Sequence, residues 1–277
     1  MKEKIELDTN DKFEELLLEL VQTEEDLEQR LLREQDERFL YYLSPIRQNV
    51  ISWFDFKPTA SLLEVDAECG VITSFFCESV ERVVAVEASK RKAAINAARN
   101  KQYENLEIVV GDFINIDFEQ KFDYISLIGA KGPLLDLLKK AKGLLNPGGK
   151  LLMAIENKYG LKYWAGVPEA QTGNLFAGIE GYEDAELVCT YSRKTLKTFL
   201  QQAGFEQQQF YYPVPDYKMP LEIYSEKHLP KSGNITGISP AYDRPRYEFF
   251  DERLAFNSIC EDGLFEEFAN SFIVISE

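Results

Sequence analysis

The feature that most constrains this chain is a regular alternation, over residues 61 to 157, of short apolar segments with helix-forming ones. The apolar segments are "SLLEV", "RVVAVEA", "LEIVVGD", "FDYISLIG" and "KLLMAIEN"; between them lie a helix from about Ile72, then "SKRKAAINAARNKQ", "PLLDLLKKAKGLL" and the turn "NPGG". Short buried strands separated by helices imply parallel pairing, because a crossover helix is the usual way to bring the chain back alongside itself. The pattern predicts a doubly wound α/β domain. In such sheets a ligand sits beyond the carboxyl ends of the strands, where the strand order reverses. A capped helix from Ser192, the segment "QQFYYP" and the terminal "SFIVIS" complete the predicted sheet.

Residues 1–56 read as an N-terminal helical cap. Phe13, Leu16, Leu17 and Leu20 recur at helical spacing, as do Leu27, Leu31 and Leu32. In "YYLSPIRQNVISWF" Ser44 is a predicted N-cap and Pro45 the first helical residue, with Ile46, Val50 and Trp53 on the apolar face. Residues 57–277 then form one Rossmann-like domain carrying two insertions, at about 158–190 and 214–270, rich in aromatics, Gly, Pro and charge. Connections that long point to function.

The 277 residues carry 47 acids against 31 bases, a formal net charge of -16. That field repels a phosphate backbone and argues against nucleic acid as a partner. No apolar run approaches the roughly 20 residues that span a bilayer, and "MKEKIELDTN" lacks the basic and apolar regions of a signal peptide, so the expected location is cytoplasmic. Four cysteines without CxxC spacing and a single histidine, His228, predict neither a metal site nor a disulfide framework. With no "GxSxG" elbow, hydrolase triads recede as well.

The stretch "LLEVDAECGVIT" has the layout of a nucleotide-cofactor loop, but Asp66 and Glu68 stand where glycines are expected. Two carboxylates there would face a pyrophosphate at a few Å, a repulsion of several kcal/mol if partly desolvated. That disfavours a nicotinamide dinucleotide and hence an oxidoreductase. S-adenosylmethionine carries no phosphate, and acids are less hostile to its ammonium and sulfonium. Glu87, 23 residues after Glu64, stands near the offset at which an acid reaches ribose hydroxyls. Asp112 is placed to accept from an adenine amino group and Phe113 to pack on the base.

The series "LLEVDAECG", "VVAVEAS", "LEIVVGDF", "FDYISLIGA" and "LLNPGGKLLMAIEN" resembles the class I S-adenosylmethionine-dependent methyltransferases. More narrowly, "YYLSPIRQNV", "ENKYGLKYWAGVPEAQTGNLFAGIEGY", "FYYPVPDYKMPLEIYSEKHLP" and "FDERLAFNS" with "GLFEEFANSFIV" resemble a bacterial group found with glycosyltransferases of cell-surface polysaccharide assembly. The resemblance runs from about Phe39 to the C-terminus. It implies a seven-stranded, mostly parallel Rossmann-like sheet with the last strand antiparallel. It also implies Glu64, Gly70, Glu87, Asp112 and Phe113 as cofactor residues; Asp66, Ala88 and Gly129 are further candidates in the same loops. The departures are Asp66 and Glu68 in place of glycine, and "KGPLL" after "LIGA", where the group has a small-to-acidic segment.

Methyl transfer to a hydroxyl needs a base near the acceptor. At the end of the fifth strand Glu156 is the preferred candidate and His228 the alternative; Asn157, Tyr159, Tyr163 and Trp164 are the candidate substrate contacts, the aromatics suited to stacking on a sugar face. Arg244, Arg246 and Arg253 would suit a phosphate-bearing acceptor or pair locally with acids. The leading expectation is O-methylation of a sugar of a surface glycan or its precursor. The competing one is a cofactor-free relative of the fold that docks an active transferase.

Overall fold

The computed structural model describes residues 11–23, 27–33, 36, 38–183, 189–236 and 246–277. Its centre is one eight-stranded sheet built from β1 (Ser61–Val65), β2 (Arg82–Glu87), β3 (Leu106–Val110), β4 (Phe122–Ile128), β5 (Leu145–Glu156), β6 (Gln208–Val214), β7 (Glu222–Ser225) and β8 (Ser271–Ser276). The order across the sheet is β3-β2-β1-β4-β5-β8-β6-β7. Strands β1 to β5 pair in parallel, and β8 runs antiparallel to both neighbours, β5 and β6. Sequence order reverses between β1 and β4, which makes the carboxyl ends of those two strands the ligand-binding position.

The strand count differs from the seven expected. The additional strand is β7, four residues inside the second insertion that pair antiparallel with β6 from Tyr211↔Ser225 to Val214↔Glu222. It follows Pro220 in a stretch dense in Tyr and charge, and a four-residue edge strand leaves too short a pattern to show a period of two.

Alternation along β1 explains why both faces are covered. Leu63 and Val65 join a core beneath the helices Leu134–Leu144 and Arg193–Gln202, which contributes Leu138, Ala141, Leu196 and Leu200. Leu62 points the other way, to a core with Ile72 and Phe76 of the helix Val71–Ser79 and with Val50, Ile51 and Phe56. A third cluster joins Phe13, Leu17, Phe39 and Leu43 of the N-terminal segments to Cys69 and to Ile95 of the helix Lys90–Arg99. The N-terminal segments thus lie against the β1 loop. Arg99 fastens them by donating to the carbonyls of Tyr42 (2.8 Å) and Leu43 (3.1 Å), at the carboxyl end of the helix Arg38–Leu43, where a cation is favoured.

Ser44 caps the next turn as its sequence predicts, accepting from the amide of Ile46 at 3.3 Å. The turn is a 3-10 helix, Pro45–Val50, in which residues i and i+3 eclipse, so Arg47 is buried alongside Val50; Trp53, beyond the end of this helix, stays 39% exposed. Of the expected apolar face Val50 is buried, whereas Ile46 is only partly covered and Arg47 is buried instead. The two insertions hold each other: Arg246 donates to the Ala165 carbonyl and pairs with buried Glu252, whereas Arg253 pairs with Asp251 at the surface. Arg244 lies outside the described residues.

Candidate functional site

At the tip of β1 the backbone is left-handed at three alternate positions: Asp66 (φ 55°), Glu68 (φ 49°) and Gly70 (φ 77°). These are the positions at which a cofactor loop uses glycine. The loop keeps the conformation although two of its residues carry side chains, at about 1–2 kcal/mol for each non-glycine residue, less for Asp. Gly70 is held to glycine twice over, since a Cβ there would collide with the Asn96 side chain.

The two side chains go to different places. The Asp66 carboxylate turns across the strand ends and accepts from the Lys131 amide at 2.7 Å, joining the β1 loop to the β4 loop. Glu68 turns to the N-terminal segments: it accepts from the Tyr41 hydroxyl (2.9 Å) and Arg47 (3.3 Å), with Lys92 at 3.9 Å. Burial would raise the Glu68 carboxyl, but Arg47 and Lys92 outweigh it and hold the group below the usual range. Asp66 is raised, chiefly by burial.

Glu64 is buried behind this loop and accepts from the Thr73 hydroxyl at 2.6 Å; Thr73 in turn accepts from Asn96 at 3.0 Å. Burial pushes the Glu64 carboxyl up to about 8, so it carries its proton at neutral pH. Glu87, at the end of β2, is also buried, and its carboxylate accepts from the amides of Glu68 and Ser89, both at 2.8 Å. That carboxylate therefore organises the β1 loop from below. Arg47, Glu64, Asp66, Glu68, Val71 and Ser126 are among the residues around a cavity of about 10 Å³.

The remaining expected cofactor residues fall as follows. Ala88 is exposed after β2, and Gly129, at φ 72°, is packed so closely by Tyr217 that a Cβ there would lie 3.1 Å from the tyrosine hydroxyl. Asp112 is exposed at the end of β3 and caps the turn Phe113–Asn115 by accepting from the Ile114 amide (3.1 Å) and the Asn115 side chain (2.7 Å). Phe113 is not turned across the strand ends. Its ring is buried in the core against Phe118, with the Lys140 ammonium 5.1 Å from its centre.

At the carboxyl end of β5 Glu156 is buried between Lys162 (3.1 Å) and Lys218 (2.9 Å) and accepts from the Tyr163 hydroxyl. Asp216 pairs with the same Lys162 at 3.2 Å. Burial would raise the Glu156 carboxyl, but the two ammonium groups hold it far below the carboxylate range. Asn157 is buried and pins the chain that leads into β8, donating to the carbonyls of Glu267 and Ala269, both at 2.8 Å. Tyr163 is buried, whereas Tyr159 and Trp164 are 37% and 40% exposed. His228 is not brought to this end. It lies beyond the far end of β7, three strands out from β5, about 14 Å at the usual strand spacing.

Sequence reading singled out the acids and aromatics but missed the cations. Arg47, Lys162 and Lys218 are the groups that neutralise these carboxylates, and apart from the Lys162 to Glu156 pair, six residues apart, their carboxylate partners are 21 or more residues away along the chain. Burial of Arg47 is foreshadowed only by the "SP" start of a 3-10 turn; for Lys162 the sole local signal is its place in the apolar run "GLKYW".

No protein family model matches the chain. Over 75 residues, 27% of its length, it is 25% identical to ribosomal RNA small subunit methyltransferase A of Alkaliphilus metalliredigens, and it spans about a quarter (26%) of that curated relative. Among solved structures it resembles a Haloferax volcanii methyltransferase in complex with the Trm112 methyltransferase activator: 11% identity, TM-score 0.54, 91% of this chain and 96% of that one. It also resembles phosphoethanolamine N-methyltransferase 1 of Haemonchus contortus, solved with phosphoethanolamine and S-adenosylhomocysteine: 11% identity, TM-score 0.51, 96% of this chain and 48% of that one. At such identities the likeness is one of architecture. The chain has the α/β Rossmann-like fold of the class I S-adenosylmethionine-dependent methyltransferases, with an eight-stranded, mostly parallel sheet.

Removing the central carboxylate of the β5 cluster should expose its role. Glu156→Gln leaves two buried ammonium groups under-compensated and is expected to cost about 3–5 kcal/mol of stability, measured by urea unfolding. Because the folded carboxyl titrates well below its ordinary 4.5, the wild type loses this stabilisation as pH falls below about 4.5. The variant should show a shallower acid limb over the same range.

Proposed function

We propose that this protein is an S-adenosylmethionine-dependent methyltransferase that O-methylates a sugar of a surface glycan or its precursor. The observation that carries the cofactor reading is the left-handed backbone at residues 66, 68 and 70, retained against the preference of Asp and Glu. Strain of this kind persists where a binding geometry requires it. Two acids of the expected donor set are also placed for the group. Glu87 stands at the end of β2, the position suited to ribose hydroxyls, and neutral Glu64 faces the cavity where an ammonium would find a carboxyl able to ionise.

Such a cofactor supplies a methyl group on a sulfonium, ready for in-line displacement. The chain's part is to hold the acceptor near it and to keep water out. Tyr159 and Trp164 follow Glu156 in the chain, within the first insertion, and are half exposed; aromatic rings of this kind are suited to stacking on a sugar ring. The glycan substrate rests on these faces and on the resemblance to the polysaccharide-associated group. Glu156 is the carboxylate on this side. Its ionised form, engaged by Lys162 and Lys218, is a weak base, so it would take a hydroxyl proton only after one of those contacts is released.

Two features bear on the competing reading, a fold-only subunit of a partner transferase: the cavity of about 10 Å³ has room for a single water, and the Asp66 to Lys131 bond crosses the strand ends. A titration separates the two. S-adenosylhomocysteine at 100 times its dissociation constant should stabilise the fold by about 2.7 kcal/mol, read as a thermal shift, and no shift at millimolar ligand would reject the methyltransferase. Asp66→Gly, which removes the bridge, should bind about tenfold more tightly than wild type; unchanged affinity would mean that the bridge is no barrier.

The Glu64 proton gives a further prediction. An ammonium placed beside a carboxyl that titrates near 8 favours its ionised form, so binding should release a proton and tighten as pH rises from about 6 to 8. Calorimetry in buffers of different ionisation enthalpy measures that proton. In Glu64→Gln the release and the pH dependence should both vanish. The same raised carboxyl means that, without ligand, stability falls as pH climbs from about 4.5 through 8, because the folded state holds the proton longer than the unfolded chain does.

A further inference from the structure

Two polar atoms among the residues around the small cavity have no partner. Arg47 is 5% exposed and Ser126 1% exposed, and the Arg47 Nε and the Ser126 Oγ are both buried without a hydrogen bond. They come from separate parts of the fold: Arg47 from the 3-10 turn of the N-terminal segments, Ser126 from β4, directly opposite Glu64 of β1. The rest of the guanidinium is committed. Its Nη1 donates to Glu68 (3.3 Å) and to the Tyr41 carbonyl (3.4 Å), its Nη2 donates to the Tyr41 hydroxyl (3.1 Å), and its Cζ lies 3.8 Å from the Tyr41 ring centre.

Buried N–H and O–H groups are almost always satisfied, and two unsatisfied donors around one space point to a missing acceptor. The missing acceptor has to bond both an arginine Nε–H and a hydroxyl and to be welcome beside a cation that Glu68 compensates only in part, since Lys92 shares that carboxylate. A carboxylate has this chemistry.

We infer that Arg47 and Ser126 form a carboxylate-binding site that takes the amino-acid end of the cofactor, with the Glu68 carboxylate holding the guanidinium in place for it. The inference rests on the methyltransferase reading and adds a residue from outside the Rossmann domain to its cofactor site. It makes the N-terminal segments part of the binding site, because the ligand then touches a side chain carried by residues 45–50. It also accounts for Glu68 in a glycine position: the side chain turns to the N-terminal segments and orients Arg47.

The experiment compares two ligands that share the adenosine thioether and differ in the amino-acid end, S-adenosylhomocysteine and 5′-methylthioadenosine, by calorimetry on wild type, Arg47→Lys and Ser126→Ala. A lost hydrogen bond to a charged group corresponds to about a 10- to 100-fold loss of affinity for S-adenosylhomocysteine in Arg47→Lys, with 5′-methylthioadenosine changed less than about twofold. Ser126→Ala should show the same selectivity at about 3- to 10-fold, and it tests the site even if the arginine variant does not fold. Equal losses for both ligands, or none for either, would overturn the inference and leave a buried water as the acceptor. Failure of the wild type to bind either nucleoside would instead overturn the methyltransferase reading, and this site with it.

Discussion

The structure around the switch point depends on one constraint, the left-handed backbone of the β1 loop at residues that are not glycine. Asp66 and Glu68 hold that conformation only because their surroundings over-determine it. The Glu68 amide is bonded to Glu87, its carboxylate to Arg47 and Tyr41, and the Asp66 carboxylate to the β4 loop. Each contact returns roughly 1 kcal/mol or more, the same order as the local strain. The N-terminal segments are therefore bound up with the loop geometry. Their Arg47 and Tyr41 complete the charge environment in which a glutamate can occupy a glycine position.

The second centre, at the end of β5, follows the same logic with the signs arranged differently. Glu156 and Asp216 face Lys162 and Lys218, so the carboxylates of this cluster are matched by ammonium groups inside the protein. A matched buried cluster contributes little net stability over an apolar core, yet it fixes which chain segments meet. Here it gathers β5, the first insertion and the segment after β6, while Asn157 ties β5 to the approach to β8. The insertions are thereby ordered against the strand ends, and two aromatic faces are left half exposed beside them.

Much of the fold was legible because periodicity reports burial. The five parallel strands, their helices, β6, β8 and the Ser44 cap all follow from apolar spacing and from local hydrogen bonding that nearby residues reveal. What escaped was long-range or of too short a period. Strand β7 has four residues and no pattern; the 3-10 turn rotates Arg47 inward where an α-helical reading directs Ile46 and Trp53; and the partners of Glu68 and Glu156 meet only once the chain has folded. Phe113 shows the converse case. Its place after a strand-end Asp suggested an adenine contact, but an aromatic ring beside an open core pocket gains more by full burial than by half covering a ligand.

A closed cavity and a working cofactor site are compatible within a definite energy range. Opening the space requires breaking the Asp66 to Lys131 bond, a hydrogen bond to a carboxylate, and shifting the loops that it joins, a cost of about 1–3 kcal/mol. Apparent affinity falls by the fraction of molecules that are open, so this cost weakens binding by about 5- to 150-fold. An intrinsic affinity near 1 μM, about 8 kcal/mol, would survive as a dissociation constant between about 5 and 150 μM, still within reach of a metabolite cofactor. The same arithmetic limits the departures that the loop can accommodate. Asp66 imposes the cost of one bond, whereas a carboxylate left unpaired in the cavity would impose several times more, and the contacts of Glu68 with Tyr41, Arg47 and Lys92 are what prevent that.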